Sequence, residues 1–341
     1  MIKIGVIGLG KIAADSLIPA IAQAREACLW SVLSRDLEKA RQIATEFNAH
    51  SRNPAFDNLQ TFLSDPKLDA VVVASPDKIH ASHSLAAIDK GKHVLVEKPM
   101  ATSTTDAQMM TTAARRAGVK LGVAYHMRWH QGHRELARRV WSQEYGEIQT
   151  IRAHWTFNSL DSNNWRAHDE LGKWWSLAGV GTHCLDWILW LMRPICGEVE
   201  DVHSAVSRAD ATSAHDTSVA AHLKFQSGAI AHMFCSAVHD TQTVGELYGS
   251  TGYALCRETI GTSGGGSIIT NSGPIEYDRK NPYVGEIDDF VSAITNDRDP
   301  EVPGEDGLRN VELLTETVSY THLRAHETRE DRVCRLVLEK K

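Results

Sequence analysis

The first thirteen residues restrict the fold more than any other stretch. Ile2–Ile7 reads as a β-strand and empties into Gly8, Gly10 and Ala13, a GxGxxA pattern that passes from strand through turn to helix. The first glycine allows a tight turn and the second lets a pyrophosphate come close to the backbone. Lys11, Ile12 and Ala13 then open a helix whose unpaired N–H groups face an anion. This combination points to a dinucleotide-binding unit.

The next hundred residues carry the same theme. Strands are expected at Leu29–Leu33, Ala70–Ala74, His93–Val96 and Lys120–Ala124, with helical patterns between them, such as Thr104 to Ala117 before Gly118. Strands alternating with helices predict a parallel, doubly wound Rossmann sheet over residues 1–125, an α/β fold. Beyond it the texture changes. Thr150–Phe157, Val219–Phe225, Ala229–Ser236 and Gly245–Tyr248 read as strands of an open, mainly antiparallel sheet, with one apolar helix around Gly181–Met192. Residues 126–317 are therefore expected to form a second, α+β domain. The run Gly261–Ser267 (GTSGGGS) is read as a flexible loop.

Composition narrows the function. At 341 residues with 42% apolar side chains, two cores are affordable. A formal charge of −7 without a basic run argues against nucleic acid or an anionic membrane as partner. The six cysteines show no metal-ligand spacing, so no metal is expected and the thiols are read as reduced. With a strand starting at Ile2 and no long apolar run, the expected location is the cytoplasm.

Two positions then carry chemistry. At the end of the second strand, Ser34 and Arg35 stand where an NAD-specific fold places an acid; a hydroxyl and a guanidinium suit a 2′-phosphate, so NADP is expected over NAD. Asp36 leaves the choice open, because it serves either as a helix cap or as a ribose ligand. Lys98 follows the strand His93–Val96, and Pro99 excludes helix at that residue. It is thus placed at a strand's carboxyl end, where doubly wound sheets bind ligands and an ammonium can stabilise alkoxide charge. The plainer reading is a surface lysine paired with Glu97.

The motifs VIGLGKIA, VVVASPDKIH and GKHVLVEKP, in this order and spacing, resemble the Gfo/Idh/MocA oxidoreductases across residues 1 to about 317. The resemblance implies hydride transfer between a nicotinamide and a sugar, cyclitol or related polyol. It implies a cofactor set that adds Ser75, Pro76, His80, Glu97, Lys98 and Arg128 to Gly8, Gly10, Lys11, Ile12, Ala13, Ser34 and Arg35. It also implies a cis Lys98–Pro99 bond and a second domain whose sheet face buries in a homodimer or homotetramer. Lys98 matches the family's active-site lysine. In WWSLAGVGTHCLDWILWL, His183 matches the proton donor or acceptor, and Asp186 shares its helical face. Lys98, Arg128, Trp165, Arg166, Thr182, His183 and Tyr283 form the implied substrate set; Asn163, Asn164, His168 and Lys173 lie nearby, whereas Trp187 and Trp190 are read as core.

The chain departs from that pattern in two places. Gly179 stands where the family carries an aspartate, and Lys173-Trp174-Trp175 replaces three glycines. Three outcomes stay open: Lys98 and His183 suffice, Asp169, Glu170 or Asp186 substitutes, or the chain binds cofactor without turnover. The last keeps alive a non-catalytic regulator on this fold; an NAD-retaining glycosidase is a further alternative. From Val318 the charged sequence bears no relation to the family, and residues 318–341 are read as a non-native tail.

Overall fold

The computed structural model describes residues 1–159, 164–168, 172–208 and 215–323. Six strands, β1 (Ile2–Ile7), β2 (Ala27–Leu33), β3 (Ala55–Phe56), β4 (Ala70–Val73), β5 (His93–Val96) and β6 (Leu121–Val123), pair in parallel in the order β3-β2-β1-β4-β5-β6. Helices α1 (Ile18–Gln23), α2 (Leu37–Glu46), α3 (Leu59–Leu63), α4 (His80–Asp89) and α5 (Thr104–Ala117) connect them. Strand order reverses between β1 and β4, so the crevice at their carboxyl ends is the topological switch point. The central strand β4 is buried throughout, as its unbroken Ala-Val-Val-Val requires of a strand covered on both faces. Helix α5 has the ends its sequence announces: Ser103 accepts from the Asp106 N–H at 3.1 Å, and Gly118 closes it at φ +66°.

The second sheet is larger. Strands β7 (Ile148–Thr156), β8 (Val199–Arg208), β9 (Asp216–Phe225), β10 (Ile230–Ser236), β11 (Val244–Gly249), β12 (Tyr253–Arg257), β13 (Ser267–Thr270) and β14 (Gly273–Pro274) lie in the order β14-β13-β12-β11-β7-β10-β9-β8. All neighbours are antiparallel except β7 and β10. One face is covered by α7 (Thr182–Cys196), a helix buried almost all round, which accounts for its largely apolar sequence. Among the described residues the other face is open and presents Ile230, Tyr248, Tyr253 and Ile269.

Three further helices join the halves. Helix α6 (Gln131–Trp141) precedes the sheet, α8 (Pro282–Thr295) packs on α1 and the turn His126–Trp129, and α9 (Gly304–Leu323) packs on α5 and β8. One expectation needs correction. Strand β13 begins at Ser267, and the loop before it is pinned. His130 Nε2 lies 2.8 Å from the Gly265 carbonyl, while the Tyr277 hydroxyl donates to the carbonyls of Gly265 and Gly266 at 3.0 and 2.9 Å. Helix α9 continues past Thr317, whose carbonyl accepts from Ser204 Oγ, and Val318 still packs on the main core. Residues 324–341 lie outside the described part.

Candidate active site

The glycine turn meets the requirements of a dinucleotide cradle. Gly8 has φ +92°, and a Cβ there would fall 2.7 Å from the Ala74 carbonyl oxygen, so only glycine lets β1 and β4 approach so closely at the switch point. A Cβ at Gly10 would meet no atom within 4 Å: the second glycine opens onto space. Helix begins at Lys11, widens over Ala13–Leu17 and continues as α1; Ala13 is buried, while Lys11 is exposed and pairs with Asp15. These residues fit a bound pyrophosphate.

At the end of β2, the Ser34 hydroxyl accepts from the Asp36 N–H at 3.1 Å, and the Asp36 carboxylate accepts from the Lys39 N–H at 3.1 Å. Asp36 is therefore the N-cap of α2. Arg35 is exposed beside it and forms no ion pair with another described residue.

Lys98 sits just beyond β5, joined to Pro99 by a cis bond. Its ammonium donates to the carbonyls of Gly179 at 3.0 Å and Ala178 at 3.3 Å, which links the two halves of the molecule. Burial pushes Lys98 below the ordinary lysine range, with Glu97 opposing and Arg166 assisting. Glu97 is buried behind it and raised by that burial, against the pull of Lys98 and His80. His80 is a strut: one ring nitrogen lies 2.8 Å from the Pro99 carbonyl and the other 2.7 Å from that of Ser75. The Ser75 hydroxyl meets His83 at 3.0 Å, and Pro76 leads into the turn Asp77–Ile79.

His183, in the first turn of α7, is 4% exposed. Its ring stacks on Trp155 at 5.3 Å and meets His126 edge-on at 4.9 Å. Nδ1 is buried and has no hydrogen-bond partner among the described residues. Burial first, then Lys98 and His126, hold the ring well below the usual histidine range. His126 stacks on Tyr283 at 4.3 Å, and its Nε2 lies 3.0 Å from the Gly261 carbonyl; burial pushes it down to about 4. Thr182 lies under this wall, bridged to the Tyr125 hydroxyl at 2.8 Å and to Asn310 at 2.9 Å. On the far side, Arg166 stacks over Trp165 at 4.2 Å and approaches Asp77 at 3.9 Å.

Two residues named from sequence pair with each other. Arg128 is buried, and its guanidinium pairs with Asp186 (2.6 Å) and Asp306 (2.9 Å), which ties α7 to α9. Asp186 accepts from Arg128, and no hydrogen bond joins it to His183 among the described residues. Asp169, Glu170 and Asn163 lie outside the described residues. Lys173 donates to the Thr102 carbonyl at 2.7 Å, and Trp174, Trp175, Trp187 and Trp190 are all buried. Sequence reading missed Trp155, His126 and Glu286. The last is a buried carboxyl on α8 with neither oxygen partnered among the described residues; burial, then Glu97, Asp289 and Asp186, raise it well above the carboxylate range. It also missed Asp216, whose carboxylate accepts from the Trp175 and Leu177 N–H groups at 2.9 and 2.8 Å and fixes the turn leading to His183. A polar residue spaced among apolar ones on a helix was the only signal for His126 and Glu286, and it is weak.

Among the described residues no His, Cys, Asp and Glu cluster suits a metal, and no helix is long and apolar enough to cross a membrane. Residues 2–125 match an oxidoreductase family with an NAD-binding Rossmann fold, and residues 133–255 match the GFO/IDH/MocA C-terminal domain. A 1,5-anhydro-D-fructose reductase of Ensifer adhaerens is 28% identical over 89% of this chain and 91% of its own length. A dTDP-3,4-didehydro-2,6-dideoxy-alpha-D-glucose 3-reductase of Saccharopolyspora spinosa is 30% identical over 74% of this chain and 73% of its own. Among solved structures, an aldose-aldose oxidoreductase from Caulobacter crescentus, complexed with glycerol, superposes with a TM-score of 0.85 at 23% identity; the match covers 94% of this chain and 97% of that one, a likeness of fold.

Proposed function

The chain belongs to the GFO/IDH/MocA oxidoreductase family, and from that premise we propose an NADP-preferring dehydrogenase or reductase of a sugar, cyclitol or related polyol. The observation that carries this reading is the position of Lys98, at the carboxyl end of β5, donating across to the Gly179 carbonyl and close enough for its charge to act on His183 and His126. The bound nicotinamide supplies or accepts the hydride. Lys98 holds the reacting oxygen and stabilises the charge it develops, with His183 beside it. Trp165 and Trp155 offer faces for sugar C–H surfaces, and Arg166 is the polar group beside Trp165. Exposed Arg35, with Asp36 occupied as a cap, supports NADP over NAD.

Residues 1–125 serve the cofactor and 126–317 the substrate and assembly. The apolar side chains on the open sheet face support a homodimer or homotetramer, and the buried free thiols of Cys28, Cys184, Cys196, Cys235 and Cys256 suit the cytoplasm. Neither the regulator nor the glycosidase alternative draws support from the relatives. A cofactor-linked absorbance screen over sugars, anhydro-sugars and inositols, run with NADP(H) and NAD(H), tests the reading. Stoichiometric cofactor turnover is expected, faster with NADP(H). Tight cofactor binding without turnover across the panel would overturn it.

A further inference from the structure

We propose that the open face of the second sheet is a proton-controlled contact, which holds a second copy of this chain at neutral pH and releases it in mild acid. The proposal rests on the homo-oligomer reading. Its ground is a row of histidines. Cross-strand register puts His203 of β8 opposite His222 of β9, His222 opposite His232 of β10, and His232 beside Arg152 of β7. Opposite residues share a face, and the alternation of β9 and β10 buries the residues between, so the row stands on the open side. Two more lie next to it: His154 of β7 stacks on Phe234 of β10 at 5.1 Å, and His239 stacks on the same ring at 6.2 Å. Five of the chain's 17 histidines thus gather here, and pH sets the charge of this face.

Area and charge point to a second copy as the occupant. Eight strands about 4.8 Å apart and about 20 Å long give a face of roughly 700 Å², close to the roughly 800 Å² per partner of a standard stable interface. Of the eight exposed large apolar side chains among the described residues, Ile230, Tyr248, Tyr253 and Ile269 stand on it. Its fixed charges cancel, three basic groups against three carboxylates. Arg152 and Arg257 meet Glu246 at 3.4 and 3.2 Å, Lys224 meets Glu200 at 3.9 Å, and Asp201 meets His203 at 2.8 Å. A face with apolar side chains and no fixed net charge can close on its own copy about a two-fold axis.

Protons undo that balance. The Nδ1 atoms of His222 and His232 lie 2.6 Å apart, so one ring donates and the other accepts through its lone pair. One added proton leaves this bond intact. A second occupies the lone pair and sets the N–H groups of two cations face to face, with Arg152 beside them. Burial, His222 and Arg152 already hold His232 below the usual histidine range; burial, Arg152 and His239 do the same for His154. On a free face, water accommodates the added charges. Between two copies they are desolvated and meet like charges across the axis. The covered face therefore binds fewer protons than the free one, and as pH falls through the histidine range near ~6.5 the assembly is drawn apart.

Sedimentation velocity of the full chain between about pH 8 and 5.5, at fixed low salt, tests this. The dissociation constant is expected to rise by about tenfold or more per pH unit below about 6.5, the slope of at least one linked proton, while circular dichroism shows each copy still folded. His222→Gln/His232→Gln keeps hydrogen-bonding side chains that cannot take a charge, and is expected to stay assembled at the acid end with a reduced slope. Should that pair of changes disturb the strands, His203→Gln alone and the wild type in about 0.5 M salt give a second reading, each with a shallower slope. A dissociation constant that ignores pH, or that moves alike in every variant and at both salt levels, would overturn the proposal and leave the homo-oligomer reading standing. A monomer already at the alkaline end would overturn both.

Discussion

The Phe157 ring fills the space that a side chain at Gly179 would need: a Cβ built on Gly179 would lie 2.7 Å from Phe157 Cζ. The backbone at Gly179 is helical in type, so the obstacle is packing and not a left-handed conformation. Gly179→Asp is expected to destabilise by about 1–3 kcal/mol, the range for an overpacked site, because the ring must swing away. In Gly179→Asp/Phe157→Ala the two costs should not add, and the shortfall is read from a denaturant double-mutant cycle. Additive costs would show that the ring does not exclude the side chain.

The cofactor preference hangs on neighbouring residues with different duties. Asp36 caps α2 through the Lys39 N–H, so Asp36→Ala should cost about 1 kcal/mol of stability and leave the NADPH to NADH ratio nearly unchanged. Arg35→Ala should weaken NADPH alone, by about 10- to 150-fold if one charge-assisted hydrogen bond to the 2′-phosphate is lost. Equal weakening of both cofactors, measured by fluorescence titration, would refute that assignment.

Local pattern made part of this site legible. Gly8, Gly10 and Ala13 follow a strand directly, Pro99 dictates the backbone at Lys98, and Ser103 and Gly118 bound a helix; each effect acts within a few residues. What escaped was long-range pairing. Nothing near Arg128 announces Asp186, 58 positions away, and nothing near Asp216 announces the N–H groups of Trp175 and Leu177. Strand β8 was missed because its charged and small residues alternate on an edge with one open face, and β13 because glycines precede it. Glu286 was hidden by its surroundings, since a glutamate on an amphipathic helix ordinarily faces water.

The buried Arg128–Asp186 pair, with Asp306 as third member, ties α7 to α9. Arg128→Met should cost about 3–5 kcal/mol, because it leaves a carboxylate buried without its counter-charge. Arg128→Met/Asp186→Leu should recover much of that loss. If Arg128 chiefly served the cofactor, stability would hold and NADPH affinity would fall, which equilibrium unfolding and cofactor titration distinguish.

The end of α9 bears on where the chain's useful part stops. Ser204 donates to the Thr317 carbonyl and Val318 packs on the core, so ending the chain after Thr317 should fray the last turn and lower the melting temperature. Ending it after Leu323 should leave melting temperature and cofactor affinity as in the full chain. A fall in either would give residues 324–341 a part in the fold.

Two buried groups set opposite pH dependences. His126 is pushed down to about 4, so between there and its ordinary 6.5 the unfolded chain binds more protons than the folded one, and stability falls as pH drops through that window. The full loss from this one group is about 3 kcal/mol. Glu286 is raised well above 4.5, so the folded chain binds more protons above that value, and stability falls as pH rises toward its folded pKa. Glu286→Gln keeps the shape of the neutral acid and cannot ionise. It should therefore match the wild type in urea unfolding near pH 4.5 and exceed it at pH 8, with the gap widening between. A variant no more stable than the wild type at pH 8 would mean that the carboxyl ionises there at no cost and has a partner the described residues do not supply.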